Sequence, residues 1–254
     1  MLLVAVAALF GLAVGSFLNV VIHRVPHRQS VVSPRSACPG CATTLAERDN
    51  IPVVSWLLLR GRCRTCGMRI SPRYPLVELG TAALFGAAAG RLGADWALPA
   101  YCLFFAALLA ISLIDLEHFI VPNRIVFPML ALSFPLLAGA ALLDGELRPL
   151  FTAVVGALLA SNGLLLINLV SPRGMGMGDV KLALLLGLFL GWLSLGHVAL
   201  GLFLGFFFGA VGGILLIALG IKTRKDPVPF APFLAAGAIV TILAGNALLD
   251  RYPV

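Results

Sequence analysis

The chain has 254 residues, of which 60% are hydrophobic and only 11% charged, with a mean hydropathy of +1.03; a soluble domain carries about 25% charged residues, so that class is excluded. The apolar runs are long and do not alternate, which excludes a β-barrel and leaves an all-α integral membrane protein. The net charge of +7 is therefore read by position, since basic residues in a membrane chain mark the cytoplasmic side, and it gives no argument for nucleic acid.

Residues 1–22 form the first apolar run, broken only by Asn19. The run lacks the basic start of a secretory signal. Its basic residues, His23, Arg24, His27 and Arg28, follow it, which places the N-terminus outside and the next loop inside. Gly11 and Gly15 stand four apart, a helix-packing spacing. Residues 23–74 are the only sizeable polar segment. Nine arginines (24, 28, 35, 48, 60, 62, 64, 69 and 73) stand there against Glu47 and Asp49, with a weakly apolar patch from Ile51 to Leu59. A segment of this size cannot build a sufficient core alone and needs a staple.

From Tyr74 onward the pattern predicts spans near 76–91, 97–114, 125–143, 150–170, 181–196, 198–220 and 230–248. With the first run this makes eight helices. The run at 181–196 is short for the roughly 20 residues a span needs, and only Ser194, Gly196 and His197 divide it from its successor. Gly201, Gly205, Gly209 and Gly213 repeat every four residues in that successor, a smooth ridge for a neighbouring helix. Charge tests the topology. The inner loops hold the nine arginines plus Arg124, Arg173, Lys181, Lys222, Arg224 and Lys225; the outer loops hold Arg91, Arg148 and Arg251. That asymmetry is a strong positive-inside signal and puts both termini outside. The expected organisation is a first transmembrane helix at 1–22, a cytoplasmic loop domain at 23–74 and a seven-helix membrane domain at 75–254.

Four of the five cysteines sit in two pairs, Cys38-Pro39-Gly40-Cys41 and Cys63-Arg64-Thr65-Cys66. Four thiolates in paired Cys-x-x-Cys form make a closed tetrahedral site, typical of structural Zn2+. The competing reading is two disulfides or a redox pair. A cytoplasmic loop keeps its thiols reduced, which favours zinc, and the metal would supply the core the loop lacks. Cys102 lies within the third span and reads as a packing residue.

Acids at membrane depth are costly and mark functional sites. Asp115 ends the third span, Asp179 begins the sixth within Arg173-Gly-Met-Gly-Met-Gly-Asp179, and Glu78 lies near the inner end of the second. Asp95, Asp144, Glu146 and Asp250 fall outside and read as solvated. Two carboxylates at one depth suffice for aspartyl hydrolysis, one ionised as base and one protonated as acid. The dipoles suggest Asp179, at a helix N-terminus, as base and Asp115, at a C-terminus, as acid. The alternative is that Asp179 is an N-cap and Asp115 pairs with Arg124 or His118.

Several blocks, taken in order, carry a resemblance. They are GSFLNVVIHRVP at 15–26, the paired cysteines with DNIPVVSWLLLRGRCRTC at 49–66, ISPRYPLVELGTA at 70–82, IDLEHFIVPNRI at 114–125, GMGMGDVKL at 174–182 and PVPFAPFLAAGA at 227–238. Together they resemble the type IV prepilin peptidase family, bifunctional leader peptidases and N-methyltransferases of the GxGD aspartyl protease type. The resemblance covers nearly the whole chain. Asn123 stands where many relatives carry Asp.

The resemblance implies that Asp115 and Asp179 are the catalytic pair. It implies cleavage of the basic leader of type IV prepilins or type II secretion pseudopilins at the cytoplasmic face of a bacterial inner membrane. It further implies methylation of the new N-terminus with S-adenosyl-L-methionine, a task ascribed to the first cytoplasmic region. No glycine-rich dinucleotide fingerprint supports that cofactor independently; Gly15, Asn19, Arg24, Asn50 and Arg73 are its candidate residues from the matching blocks. The substrate so implied would be a hydrophobic helix with a charged head, which can approach sideways through the bilayer. Gly174, Gly176 and Gly178 would let an extended substrate strand lie close to backbone, with Lys181 beside them. Glu47, Asp49, Glu78 and Glu117 are candidates to meet the basic leader. A zinc-stapled transporter would show internal symmetry between halves, which the sequence lacks. A non-enzymatic assembly factor of a pilus or secretion system is the remaining alternative. Sequence leaves the oligomeric state open.

Overall fold

A computed structural model describes residues 1–171, 175–223 and 226–249. Arg173, Gly174, Arg224, Lys225, Asp250 and Arg251, used in the readings above, lie outside the described residues. Among the described residues the regular structure is helical. In chain order it comprises α1 (Leu2–Arg24), a 3₁₀ turn (Glu47–Asp49), α2 (Val54–Leu58), α3 (Arg73–Leu92), α4 (Leu98–His118), α5 (Asn123–Asp144), α6 (Arg148–Val170), α7 (Met177–Leu193), α8 (Leu195–Ala218) and α9 (Ala231–Leu249). The eight long helices fall on the eight apolar runs. Five of them, α1, α4, α5, α6 and α8, are long and apolar enough to cross a bilayer by length and composition. The chain is a multi-pass membrane protein.

The chain divides into two compact units, Met1–Ala94 and Asp95–Val254. In the first, α1 packs along α3. The glycine spacing of α1 explains how. A side-chain carbon at Gly11 would lie 2.7 Å from the Ala82 backbone, and one at Gly15 would lie 2.6 Å from that of Glu78. With only hydrogen there, the two backbones approach closely. The polar segment between these helices carries α2 and the paired cysteines.

In the second unit α4 and α7 form the buried centre. Tyr101, Phe104 and Phe105 of α4 and Phe189 of α7 are fully buried. Phe104 stacks on Phe189 with ring centres 4.1 Å apart, and the Tyr101 hydroxyl donates to the Phe189 carbonyl at 2.8 Å. That bond satisfies the only polar atom of the Tyr101 side chain within an apolar core. Around the centre α6 pairs with α7, and α8 with α9. Both pairs meet through glycine. A side-chain carbon at Gly156 would lie 2.7 Å from the Gly187 carbonyl oxygen, and one at Gly237 would lie 2.6 Å from that of Gly201. The ridge on α8 serves at three of its four glycines. Gly201 faces Leu190, Gly205 faces Leu234 and Gly209 faces Phe230, while Gly213 meets nothing within 4 Å among the described residues. The division between α7 and α8 is real: Ser194 is extended, and its hydroxyl accepts the His197 N–H to cap α8.

Candidate active site

Asp115 sits one turn before the end of α4. That helix stops because Phe119 turns left-handed, with φ 55 and ψ 39, and its N–H bonds back to the Asp115 carbonyl. The chain then runs extended through Pro122 into α5. The Asp115 side chain is buried, and it takes its hydrogen bonds from the start of another helix. The Ala231 N–H donates to Oδ2 at 3.1 Å, and the Phe230 N–H donates to the same carboxylate. Pro232, at the second position of α9, favours a helix start at this point, where free N–H groups face outward.

Asp179 is the third residue of α7. Gly176, with φ −80 and ψ 151, is the N-cap, so the expectation of Asp179 as N-cap is corrected. From the third position its Oδ2 reaches back to accept the Gly176 N–H at 3.2 Å, the acidic half of a capping box. The preceding segment is fixed from α6, where the buried Asn168 amide donates to the Met175 carbonyl at 2.6 Å. Asp179 is buried like Asp115.

The C-terminal end of α4 and the N-terminal ends of α7 and α9 thus converge on two buried carboxylates. This arrangement removes the dipole argument that assigned base and acid. Asp179 faces the N-terminus of its own helix, and Asp115 faces that of α9, so both meet the positive end of a helix.

The neighbouring residues divide by environment. Gly176 is exposed. Gly178 is already helical, and a side-chain carbon there would lie 2.8 Å from Val121 Cβ, so its open space is taken by the loop after α4. Lys181 reaches α5, where Nζ donates to Asn123 Oδ1 at 3.1 Å and lies 5.9 Å from the Phe127 ring centre. Glu78 belongs to the first unit. Its Oε2 accepts the Val53 N–H at 2.7 Å, and the Ser16 hydroxyl also donates to it. The α9 amides and Asn168 escaped the sequence reading. Backbone donors leave no side-chain signal, and a lone Asn in an apolar run gives only a weak one.

In the first unit a cavity of about 930 Å³ is lined by Asn19, Arg24, Asn50, Trp56, Tyr74 and Glu78 among others. Asn19 donates to the Gly15 and Tyr74 carbonyls at 3.3 and 3.2 Å. Arg24 folds the following loop onto itself by donating to the Ser30 and Pro34 carbonyls. Gly15 is packed against α3, and Arg73 opens that helix.

The four cysteines of the paired motifs come together beside this cavity, their Sγ atoms all within 4.8 Å of one another. Cys38 and Cys66 Sγ lie 3.7 Å apart, and none of the cysteines is in a disulfide. A tetrahedral zinc with Zn–S of about 2.3 Å has S···S edges of about 3.8 Å, so the donor set fits such an ion. Each knuckle is a tight turn, closed by Ala42 N–H to the Cys38 carbonyl and Gly67 N–H to the Cys63 carbonyl. The N–H groups of Cys66 and Thr65 donate to Cys63 Sγ and pull its thiol down to about 6. At Cys66 the Met68 N–H pulls down, but desolvation and the neighbouring sulfurs prevail and push the thiol up to about 11. Four crowded sulfurs in one cage favour a shared cation over four separate thiolates.

The profile of the Type IV leader peptidase family matches residues 102–245, which hold both buried aspartates. The chain belongs to the type IV leader peptidase family. The profile of the bacterial peptidase A24 N-terminal domain matches residues 9–92, which hold the cysteine cage and the cavity. A prepilin leader peptidase/N-methyltransferase of Bacillus subtilis is 35% identical over 250 residues, covering 98% of each chain. Proteins of the same name from Aeromonas salmonicida and Pseudomonas aeruginosa are each 37% identical, covering 96% of this chain and 91% of their own length. No solved structure matches the chain.

Proposed function

We propose that this member of the type IV leader peptidase family cleaves the leader peptide from type IV prepilins or type II secretion pseudopilins and N-methylates the N-terminus so exposed. The observation that carries the peptidase half is that Asp115 and Asp179, both buried, lie where three helix ends meet. In the proposed reaction one carboxylate, ionised, takes a proton from water while the other, protonated, hydrogen-bonds the scissile carbonyl. Water oxygen bonds to the carbonyl carbon. The C–N bond then breaks, the amine leaves with a proton from the acid, and the pair returns to a singly protonated state. The α9 amides hold the Asp115 carboxylate, and the Gly176 amide holds that of Asp179. Exposed Gly176 offers backbone to an extended substrate, and Lys181 and Glu78 are proposed substrate contacts.

The excess of basic residues in the polar segment supports an orientation with the cysteine cage and the aspartates facing the cytoplasm and both termini outside. The proposed domains are a first helix at 1–22, a cysteine-stapled loop domain at 23–74 and the membrane peptidase at 75–254. Cys38, Cys41, Cys63 and Cys66 would hold a structural Zn2+, since all four ligands are protein thiolates and none is left open. The cavity beside them suits S-adenosyl-L-methionine, being within the roughly 300–1,000 Å³ of small-molecule sites. When bound, that cofactor supplies the methyl group. Trp56 and Tyr74 would face its aromatic ring and cationic sulfur, with Asn19, Arg24 and Asn50 as polar contacts.

The test is prepilin cleavage by purified protein in detergent, followed by product size. Wild type should cleave, and Asp115→Ala and Asp179→Ala should each lose about 10⁴-fold or more, as when a member of a catalytic constellation is removed. Cleavage that survives either substitution refutes the pair. Absence of cleavage by wild type under any lipid condition would leave the assembly-factor reading in its place.

A further inference from the structure

The face of α2 is not explained by cleavage, methylation or the cysteine cage. Val54, Leu57 and Leu58 are 48, 60 and 78% exposed, and Ile51 beside them is 49% exposed. At 100° per residue, positions 54, 57 and 58 span an arc of about 100°, with Trp56 on the opposite side. Trp56 turns inward, its Nε1 donating to the Ile70 carbonyl and its ring covering Gly61. One side of this short helix thus holds it to the cysteine loop, and the other presents four large aliphatic side chains. Arg48, Arg60 and Arg62, at either end of the segment, are exposed.

The position of this face is fixed. Val53, directly before α2, has φ 61, an outlying conformation for a β-branched residue. It is held there by the bond from its N–H to buried Glu78. Glu78 lies on the second turn of α3, about 8 Å along the axis from Arg73, and level with Gly15 inside the membrane-crossing helix α1. The backbone entering α2 is therefore pinned against a paired membrane helix, just inside the end marked by Arg73 and Tyr74. Interfacial helices bury their apolar face about 5–10 Å into the boundary between headgroups and acyl chains. Leu76 and Leu79 of α3, 65 and 49% exposed, lie about 4.5 and 9 Å along the axis from Arg73, one on either side of Glu78.

We propose that α2 is an interfacial membrane anchor: Val54, Leu57 and Leu58 insert into the leaflet beside α3, and Arg48, Arg60 and Arg62 meet anionic lipid headgroups. The occupant is an anionic lipid surface because exposed arginines flank the apolar stretch on both sides in the chain, in a segment with nine arginines against two acids, and its entry is pinned to α3 at Glu78. The anchor would keep the loop bearing the cysteine cage at the bilayer surface.

Tryptophan fluorescence of the full chain in nanodiscs tests this, and the readout does not depend on either catalytic activity. Leu58→Trp and Leu57→Trp are each made in a Trp96→Phe background. Glu47→Trp serves as the aqueous control, since the Glu47 side chain is 91% exposed. In nanodiscs of phosphatidylcholine with phosphatidylglycerol, the added emission at 57 and 58 should be blue-shifted. It should lose most of its intensity to lipids brominated near the headgroup end of the acyl chain and be spared by aqueous iodide. Position 47 should behave oppositely. Removing phosphatidylglycerol, or introducing Arg48→Gln, Arg60→Gln and Arg62→Gln together, should weaken the bromolipid quenching to the same level. Iodide quenching at both 57 and 58 overturns the proposal, because the face is then in water. Protection from both quenchers also overturns it, because a protein then covers the face. Bromolipid quenching indifferent to phosphatidylglycerol refutes the headgroup role of the arginines.

Discussion

At Gly178 the absence of one carbon decides where a whole loop lies. Val121 occupies the space a side chain would fill, and that contact ties the segment after Asp115 to the turn bearing Asp179. Gly178→Ala should push Val121 away and separate the two carboxylates, lowering cleavage by about 10-fold or more, because displacements near 1 Å can cost 10²-fold. The double variant Gly178→Ala with Val121→Gly, which removes the Cβ that is struck, should recover most of the loss. Cleavage rates of the two variants, compared at equal yield, decide the point. The aspartates themselves were legible in the sequence, since a carboxylate in an apolar run is expensive and conspicuous. Their hydrogen-bond partners were not. Gly176, Phe230 and Ala231 contribute main-chain N–H groups, which every residue except proline possesses.

Among the helices, α9 joins distant places. Its first amides hold Asp115, its middle lies against α8 at Gly237, and near its end Asn246 Oδ1 bonds His197 Nε2 at 2.9 Å. Its position along α8 is set by contacts that leave no slack, so the height of its N-terminus over Asp115 is set with it. Gly237→Leu should force the α8–α9 pair apart, with an overpacking cost of about 1–3 kcal/mol or more. Thermal stability and cleavage should fall together, while metal content stays as in wild type. Unchanged cleavage would show that α9 does not position Asp115. The number and limits of the helices were readable because membrane spans are long and apolar. The break at Ser194 was readable only as a doubtful division, because a single extended residue separates two apolar helices.

On the scale of the molecule, the cysteine cage lies in the first unit and both aspartates in the second, so the proposed activities should differ in their dependence on a metal. Exhaustive chelation, or Cys38→Ser with Cys63→Ser, should abolish zinc binding and methylation while prepilin cleavage persists, since both aspartates lie in the second unit. Zinc should also leave as pH falls. Its ligands must be thiolates, and protonation of Cys63, whose thiol lies at about 6 without metal, competes with the ion. Metal analysis across a pH series checks this, and zinc retained well below pH 5 would contradict it. The cage was predictable from spacing, because two Cys-x-x-Cys turns are a complete ligand set. The cavity beside it was legible only in part: Asn19, Arg24, Asn50 and the knuckle residues Cys38 and Cys63 line it, but the rest of its lining is scattered between Ser16 and Glu78 without a local motif.

The contact between α6 and α7 has a consequence for how such a chain can change over generations. Gly156, Gly187 and Gly191 stand where even a methyl group would strike the backbone opposite. No single exchange there is silent, and a larger residue on one helix finds nothing on the other small enough to shrink in return. Tolerated variation should therefore collect on the lipid-facing sides of this pair, leaving a glycine seam that a saturation library would reveal as a line of positions accepting one residue only.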